Sequence, residues 1–167
     1  MELYLLRHGV AAGLGEGGVD EDAARPLTTE GVRKVTAVAR GMEALGLTFD
    51  LVLTSPAVRA RDTARIVARR LGLLGVLRPE PGLSPGARVP GVVGLLAGLS
   101  PAPERLLLVG HEPWLGELVS VLTTGGPGLA LTFKKAGLCR LTLGRVIPGR
   151  CGELDWLLTP RHLAAIG

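Results

Sequence analysis

Three short apolar runs in this chain each stop at residues suited to polar chemistry, and that regularity constrains the fold more than any other feature. Leu3–Leu6 leads into Arg7-His8-Gly9, Leu51–Leu53 into Thr54-Ser55-Pro56, and Leu106–Val109 into Gly110-His111-Glu112. Runs this short have the length of buried strands, and each is followed by a segment with helical spacing. Strand and helix in alternation imply a parallel sheet covered by helices on both faces. The expected fold class is α/β: a three-layer α/β/α sandwich. Its central sheet is expected to be mostly parallel, with an antiparallel C-terminal hairpin, and residues 1–167 are expected to form one domain.

The spacing predicts a first strand over 2–7, then a glycine-rich loop at Gly13–Gly18 and a polar, mobile stretch to Asp22. Thr28 reads as the N-cap of a helix over about 29–45, with Glu30 in its first turn. Val32, Val35, Val38 or Ala39, Met42 and Leu45 form its apolar stripe, and Gly46 stops it. A strand at Asp50–Thr54 precedes a helix capped by Ser55 with Pro56 at its first position. Leu73–Leu77 suggests a short strand, 79–91 a Pro/Gly-rich loop, and 91–99 a weak helix. After the strand Arg105–Val109, Pro113 opens a helix in which Leu115, Leu118, Val119 and Leu122 fall on one face. Leu141 and Leu143, then Leu154, Trp156 and Leu158, alternate as the two arms of a hairpin, 138–144 and 152–158.

In open parallel sheets, ligands bind beyond the carboxyl ends of the strands. If the three strands are neighbours, Arg7, His8, Arg59 and His111 converge there, beside two helix N-termini. Two arginines and two histidines in such a place suit a phosphate group. Arg7 and His8 are consecutive and would face opposite sides of a continuing strand. Gly9 is expected to let the strand break so that both serve one pocket. The plainer alternatives are an ion-paired surface arginine, an ordinary helix cap at Ser55-Pro56, and histidines buried for packing. His162 reads as a bystander, and Trp114 and Trp156 as packing residues.

Charge narrows the partner class. Lys and Arg total 19 against 15 Asp and Glu, a net charge of +4, yet aromatic residues are only 3% of the chain. The basic residues are scattered, and single-strand binding needs aromatic platforms, so nucleic acid is discounted. No apolar run approaches membrane-spanning length, and no basic leader precedes the first strand, so a cytoplasmic protein without membrane association is expected. Cys139 and Cys151 do not face each other on the expected hairpin and are read as free thiols, as a reducing compartment favours. No metal-ligand cluster or cofactor motif is visible, and Gly13–Gly18 lacks the Lys-Ser/Thr ending of a P-loop. Nothing in the pattern calls for an oligomer, so a monomer is expected.

The segments "LRHG" at 6–9, "SPAVRARDT" at 55–63 and "VGHEP" at 109–113 resemble, in order and in place, the motifs of the histidine phosphatase (phosphoglycerate mutase-like) superfamily. The short chain and "RPLTTEG" at 25–31 resemble its compact members, the SixA-type phosphohistidine phosphatases. The resemblance implies that His8 is the nucleophile and becomes a phosphohistidine. Arg7, Arg59 and His111 would hold the phosphoryl oxygens, with no metal or cofactor. Gly9, Ser55 and Arg25 are assigned to substrate binding, although Arg25 could equally pair with Asp22 or Glu30.

Many relatives carry a carboxylic acid that protonates an alcohol leaving group. Here "RPEPGLSPGAR" at 78–88 offers only Glu80, and Glu112 reads better as a cap on the helix that follows. A weak acid signal favours a phosphohistidine-bearing signalling protein as substrate, since imidazole leaves more easily than an alkoxide. A small phosphomonoester and a non-catalytic phosphate-binding role are the alternatives.

Overall fold

The computed structural model describes residues 1–16 and 20–167. The glycine-rich loop expected at Gly13–Gly18 therefore lies partly outside the described residues. One six-stranded sheet organises the chain. Its strands are β1 (Glu2–Arg7), β2 (Leu51–Thr54), β3 (Leu77–Pro79), β4 (Arg105–Gly110), β5 (Leu138–Leu143) and β6 (Gly152–Leu158), in the order β3-β2-β4-β1-β5-β6. β1/β4, β2/β4 and β2/β3 pair in parallel; β1/β5 and β5/β6 are antiparallel. The three motif-bearing strands are thus adjacent, with Arg7 opposite Gly110 and Thr54 opposite Val109 in register.

Strand parity divides the core. Leu3 and Leu5, with Leu106 and Leu108, face α3 (Val89–Gly98) and α4 (Trp114–Thr124). Tyr4 and Leu6, with Leu107 and Val109, face α1 (Thr29–Ala44), α2 (Val58–Arg70) and α5 (Pro160–Ile166). Leu106 through Val109 are fully buried, each worth about 1.5–3 kcal/mol of transfer free energy. The alternation of side chains in β1 and β4 thereby fixes a helical layer on either face, which is the expected three-layer arrangement.

Several local expectations are corrected. Val32 and Leu45 are exposed; α1 instead buries Gly31, Val35, Val38, Ala39, Gly41 and Met42. The strand expected at Leu73–Leu77 is a 3-10 turn at Leu74–Val76 followed by β3, because the Leu73 and Val76 amides are committed to the Ala68 and Leu73 carbonyls. The expected loop at 79–91 contains a 3-10 turn at Pro81–Leu83 and the start of α3. Leu154 is exposed on the edge strand β6.

The helix α5 was not anticipated. Thr159 caps it, with His162 returning the bond, so "TPRH" was a readable start signal. Thr28 caps α1 as expected, accepting from the Gly31 amide at 3.0 Å. Cys139 and Cys151 are free, and burial pushes the Cys139 thiol up to about 12.

Candidate active site

The carboxyl ends of β1, β2 and β4 bring together His8, Arg59, Ser55 and His111, all buried. His8 lies one residue past β1 and keeps the register, its amide donating to the Gly110 carbonyl at 3.1 Å. Gly9 serves this turn by size and not by backbone freedom, which corrects the expectation. A Cβ on it would stand 2.6 Å from Val35 Cγ2 and 3.1 Å from Leu27 Cδ2. Only glycine lets the turn lie against α1. The Gly9 amide donates to Thr63 Oγ1 at 3.0 Å, and that hydroxyl donates to the Arg59 carbonyl at 2.7 Å. Thr63, one helical turn beyond Arg59, thereby fastens α2 to the His8 turn.

The protonation of His8 follows from its neighbours. Nδ1 lies 2.7 Å from the Gly9 carbonyl oxygen, which can only accept, so Nδ1 carries the proton. Nε2 keeps its lone pair and faces Arg59 Nε at 3.4 Å. Burial, with the charges of Arg59, Arg7 and Lys135 adding to it and the Gly9 bond opposing it, pushes the His8 pKa down to about 4. At neutral pH the ring is uncharged, and Nε2 carries a lone pair.

His111 stands beside it, ring centroids 4.9 Å apart. Its Nε2 is 2.8 Å from Ser55 Oγ. The Ala57 amide also donates to that oxygen, at 3.2 Å. The other ring nitrogen, Nδ1, is buried with no protein partner. Burial and the neighbouring His8 and Arg59 lower the His111 pKa to about 3. Ser55 is therefore a positioning residue for His111. It does not cap α2, which begins at Val58 after Ala57, and Arg59 sits in the first turn.

Arg7 donates from Nη1 to the Phe133 carbonyl at 2.6 Å, while its Nε is buried without a partner. Burial lowers its pKa, and Glu112 opposes that shift. Gly110 lets Trp114 close the floor, since a Cβ there would meet the indole at 2.0 Å.

One carboxylate in the site was missed. Asp22, in the stretch expected to be mobile, reaches Arg59: Nη2 to Oδ2 is 2.8 Å and Nη1 to the Asp22 carbonyl 2.6 Å. Hydrogen bonds from Arg25 and Arg59 hold its carboxyl below the usual range. Arg25 meets the site through Asp22, at 2.7 Å, and donates from Nε to the Ala12 carbonyl at 2.6 Å. Glu112 accepts from the Gly116 amide at 3.0 Å and Glu80 from the Gly82 amide at 2.8 Å, so both act as caps in this structure. Among the described residues, no group of three or more His, Cys, Asp or Glu could hold a metal ion, and no helix is long and apolar enough to cross a membrane.

A nucleophilic imidazole ringed by guanidinium and imidazole donors is equipped to accept and release a phosphoryl group. The chain belongs to the histidine phosphatase superfamily (branch 1), whose family model matches residues 3–84, and its activity is of the histidine-phosphatase type. Within that superfamily it is a SixA-type protein. It is 29% identical to phosphohistidine phosphatase SixA of Escherichia coli K12 over 167 residues, covering 98% of this chain and 96% of that protein. A solved structure of the protein histidine phosphatase SixA complexed with tungstate superposes with a TM-score of 0.84 at 29% identity, covering 98% of this chain and 99% of that one. An uncharacterized protein of Picosynechococcus sp. is 39% identical over 170 residues, covering 98% of this chain and 99% of the relative.

Proposed function

We propose that this chain hydrolyses phosphohistidine on a signalling phosphotransfer protein, through a phosphohistidine intermediate on His8 and without a metal. The observation that carries the reading is the gathering of two buried nitrogens without a protein partner, Arg7 Nε and His111 Nδ1, with His8 Nε2, whose lone pair accepts from Arg59 Nε at 3.4 Å. Buried polar nitrogens without partners are costly in a folded protein; phosphoryl oxygens would satisfy Arg7 Nε directly and His111 Nδ1 in its N–H form. The similarity to a tungstate complex of SixA supports the same assignment, since tungstate is also an oxyanion.

His8 Nε2 attacks phosphorus and forms an N–P bond as the bond to the substrate imidazole breaks; that ring, protonated from solvent on its other nitrogen, leaves with the bonding pair as neutral imidazole. Arg7, Arg59 and His111 stabilise the charge spread over the equatorial oxygens. Water then attacks phosphorus, the N–P bond to His8 breaks, and its electron pair returns to Nε2. Phosphate departs, and the proton released by water passes to solvent.

The carboxylates favour a phosphoramidate over an ester. Asp22 is held ionised by two arginines, and Glu80 and Glu112 are engaged as caps. An alkoxide needs a protonated acid as it leaves; an imidazole already protonated on its other nitrogen does not.

The test is phosphate release in EDTA from a phosphohistidine-bearing phosphotransfer domain, set against p-nitrophenyl phosphate and a panel of sugar phosphates. A higher kcat/KM on the phosphohistidine domain is expected. Faster turnover of an ester would make the chain a small-molecule phosphomonoesterase, and loss of activity in EDTA would overturn the metal-free mechanism.

A further inference from the structure

Beside the site, a groove of about 780 Å³ runs from Arg7 and Val10 between α1, the 132–135 segment and the start of α5. Its walls carry Arg33, Arg40, Lys134, Lys135 and Arg161, all exposed. Among the described residues none of the five forms an ion pair; Lys34, also on the wall, pairs with Glu30 at 2.6 Å. Among the described residues no carboxylate lines the groove, and the small apolar side chains of Ala37 and Ala164 line it with the cations.

Such a concentration of unpaired like charge is unusual for this chain. Elsewhere carboxylates stand among the cations: Arg70 pairs with Glu43, Arg105 and Arg140 pair with Glu2, and Arg65 and Arg69, unpaired among the described residues, line a groove that also holds Glu43 and Asp62. Five mutually repelling cations on one concave surface cost stability that an anionic partner would recover. The groove is also continuous with the chemistry. Arg7 lines it and bonds to Phe133 beside it, the Ala136 amide donates to the Arg7 and His8 carbonyls, and the Lys135 charge reaches His8.

We propose that this groove docks an acidic segment of the phosphoprotein substrate, holding the partner while its phosphohistidine enters the His8 site. The inference rests on the phosphoprotein reading above for the identity of the partner. The chemistry it requires is Asp and Glu side chains presented near the phosphorylated histidine. A nucleic acid fits less well, because the one aromatic residue lining the groove, Phe133, is buried and offers no stacking face. A bilayer surface is flat and cannot enter a concavity flanked by two helices.

The test is a triple variant, Arg40→Glu/Lys134→Glu/Arg161→Glu, whose side chains are exposed and stand outside the proposed catalytic set. Turnover of p-nitrophenyl phosphate is expected to match wild type, which verifies the fold and the His8 site. On the phosphohistidine domain, KM is expected to rise roughly tenfold or more with kcat little changed, and wild-type kcat/KM to fall steeply as salt increases. An unchanged KM would overturn the proposal.

Direct binding separates this inference from the catalytic reading. A rhodamine-labelled glutamate dodecamer should bind wild type and bind the triple variant at least tenfold more weakly, whether or not phosphohistidine is the substrate. Equal binding by the two proteins, or wild-type preference for phosphatidylserine vesicles or a single-stranded DNA dodecamer over the peptide, would contradict it.

Discussion

Arginines cluster at both ends of β1, and the two clusters differ in what surrounds them. At its start, Arg105 and Arg140 meet Glu2 at 3.3 and 2.8 Å, and Arg140 also meets Asp155 at 3.2 Å. These arginine side chains are 45% and 31% exposed. At its other end, the Arg59 side chain is 5% exposed and Arg7 keeps a buried Nε without a partner. In the first cluster each guanidinium faces a carboxylate, although Arg140 Nε, like Arg7 Nε, is buried without a hydrogen bond. In the second, the guanidinium groups and imidazoles outnumber the carboxylates, Asp22 on Arg59 and Glu112 acting on Arg7. A residue type does not distinguish the two; burial and the balance of donors to acceptors do.

Conservative replacement should separate them most sharply. Arg59→Lys removes a planar fork from the site and is expected to lower kcat/KM by about 100-fold, whereas Arg140→Lys should change it by less than about twofold. Steady-state kinetics on one phosphohistidine substrate checks both, and equal effects would erase the distinction.

The pH dependence sharpens it further. His8 and His111 titrate near 4 and 3 in the folded protein, against an ordinary 6.5. Their folded values lie below the unfolded one, so protons favour unfolding. The stability they contribute is fully present above about pH 6.5 and is lost as pH falls towards 4 and 3. Below pH 6.5 the melting temperature should therefore decline, and less so in a His111→Asn variant. On the same grounds the acid limb of kcat/KM should have its midpoint near 4 while the fold holds. A midpoint near 6.5 would show that the rings are not desolvated as described.

Packing at the turn comes next. Gly9→Ala must push Val35 or the turn aside, and a loss of about 1–3 kcal/mol in denaturant unfolding is expected, with activity falling alongside. The smallest effect belongs to the paired end: Glu2→Ala should cost under about 1 kcal/mol and leave turnover unchanged.

The same contrast explains what could be read in the sequence. The layers were legible because Leu3–Leu6 and Leu106–Val109 are uniformly apolar, and the site because each strand end carries its polar residues immediately after the apolar run. Arg7, His8, Arg59 and His111 needed only the strand order to meet. Asp22 was hidden because its contact with Arg59 spans 37 positions and depends on the path of a loop, which periodicity does not encode. Ser55 was misread as a cap because Ser-Pro before a helix is ambiguous until His111 is placed beside it. Gly9 looked like a flexible hinge, whereas the nearness of Val35 is a tertiary fact. The basic groove was equally invisible, since its cations come from three separated segments that look scattered along the chain.

The account turns on the nitrogen that attacks. Because the Gly9 carbonyl fixes the proton on Nδ1, Nε2 is the His8 nitrogen that the proposed mechanism phosphorylates. The direct measurement is to quench the reaction in alkali during turnover, map the acid-labile phosphate, and assign the phosphorylated nitrogen by phosphorus NMR. Phosphate on Nε2 of His8, and none in a His8→Ala variant, is the predicted result. Phosphate on Nδ1, on another residue, or undiminished in the variant would contradict the account.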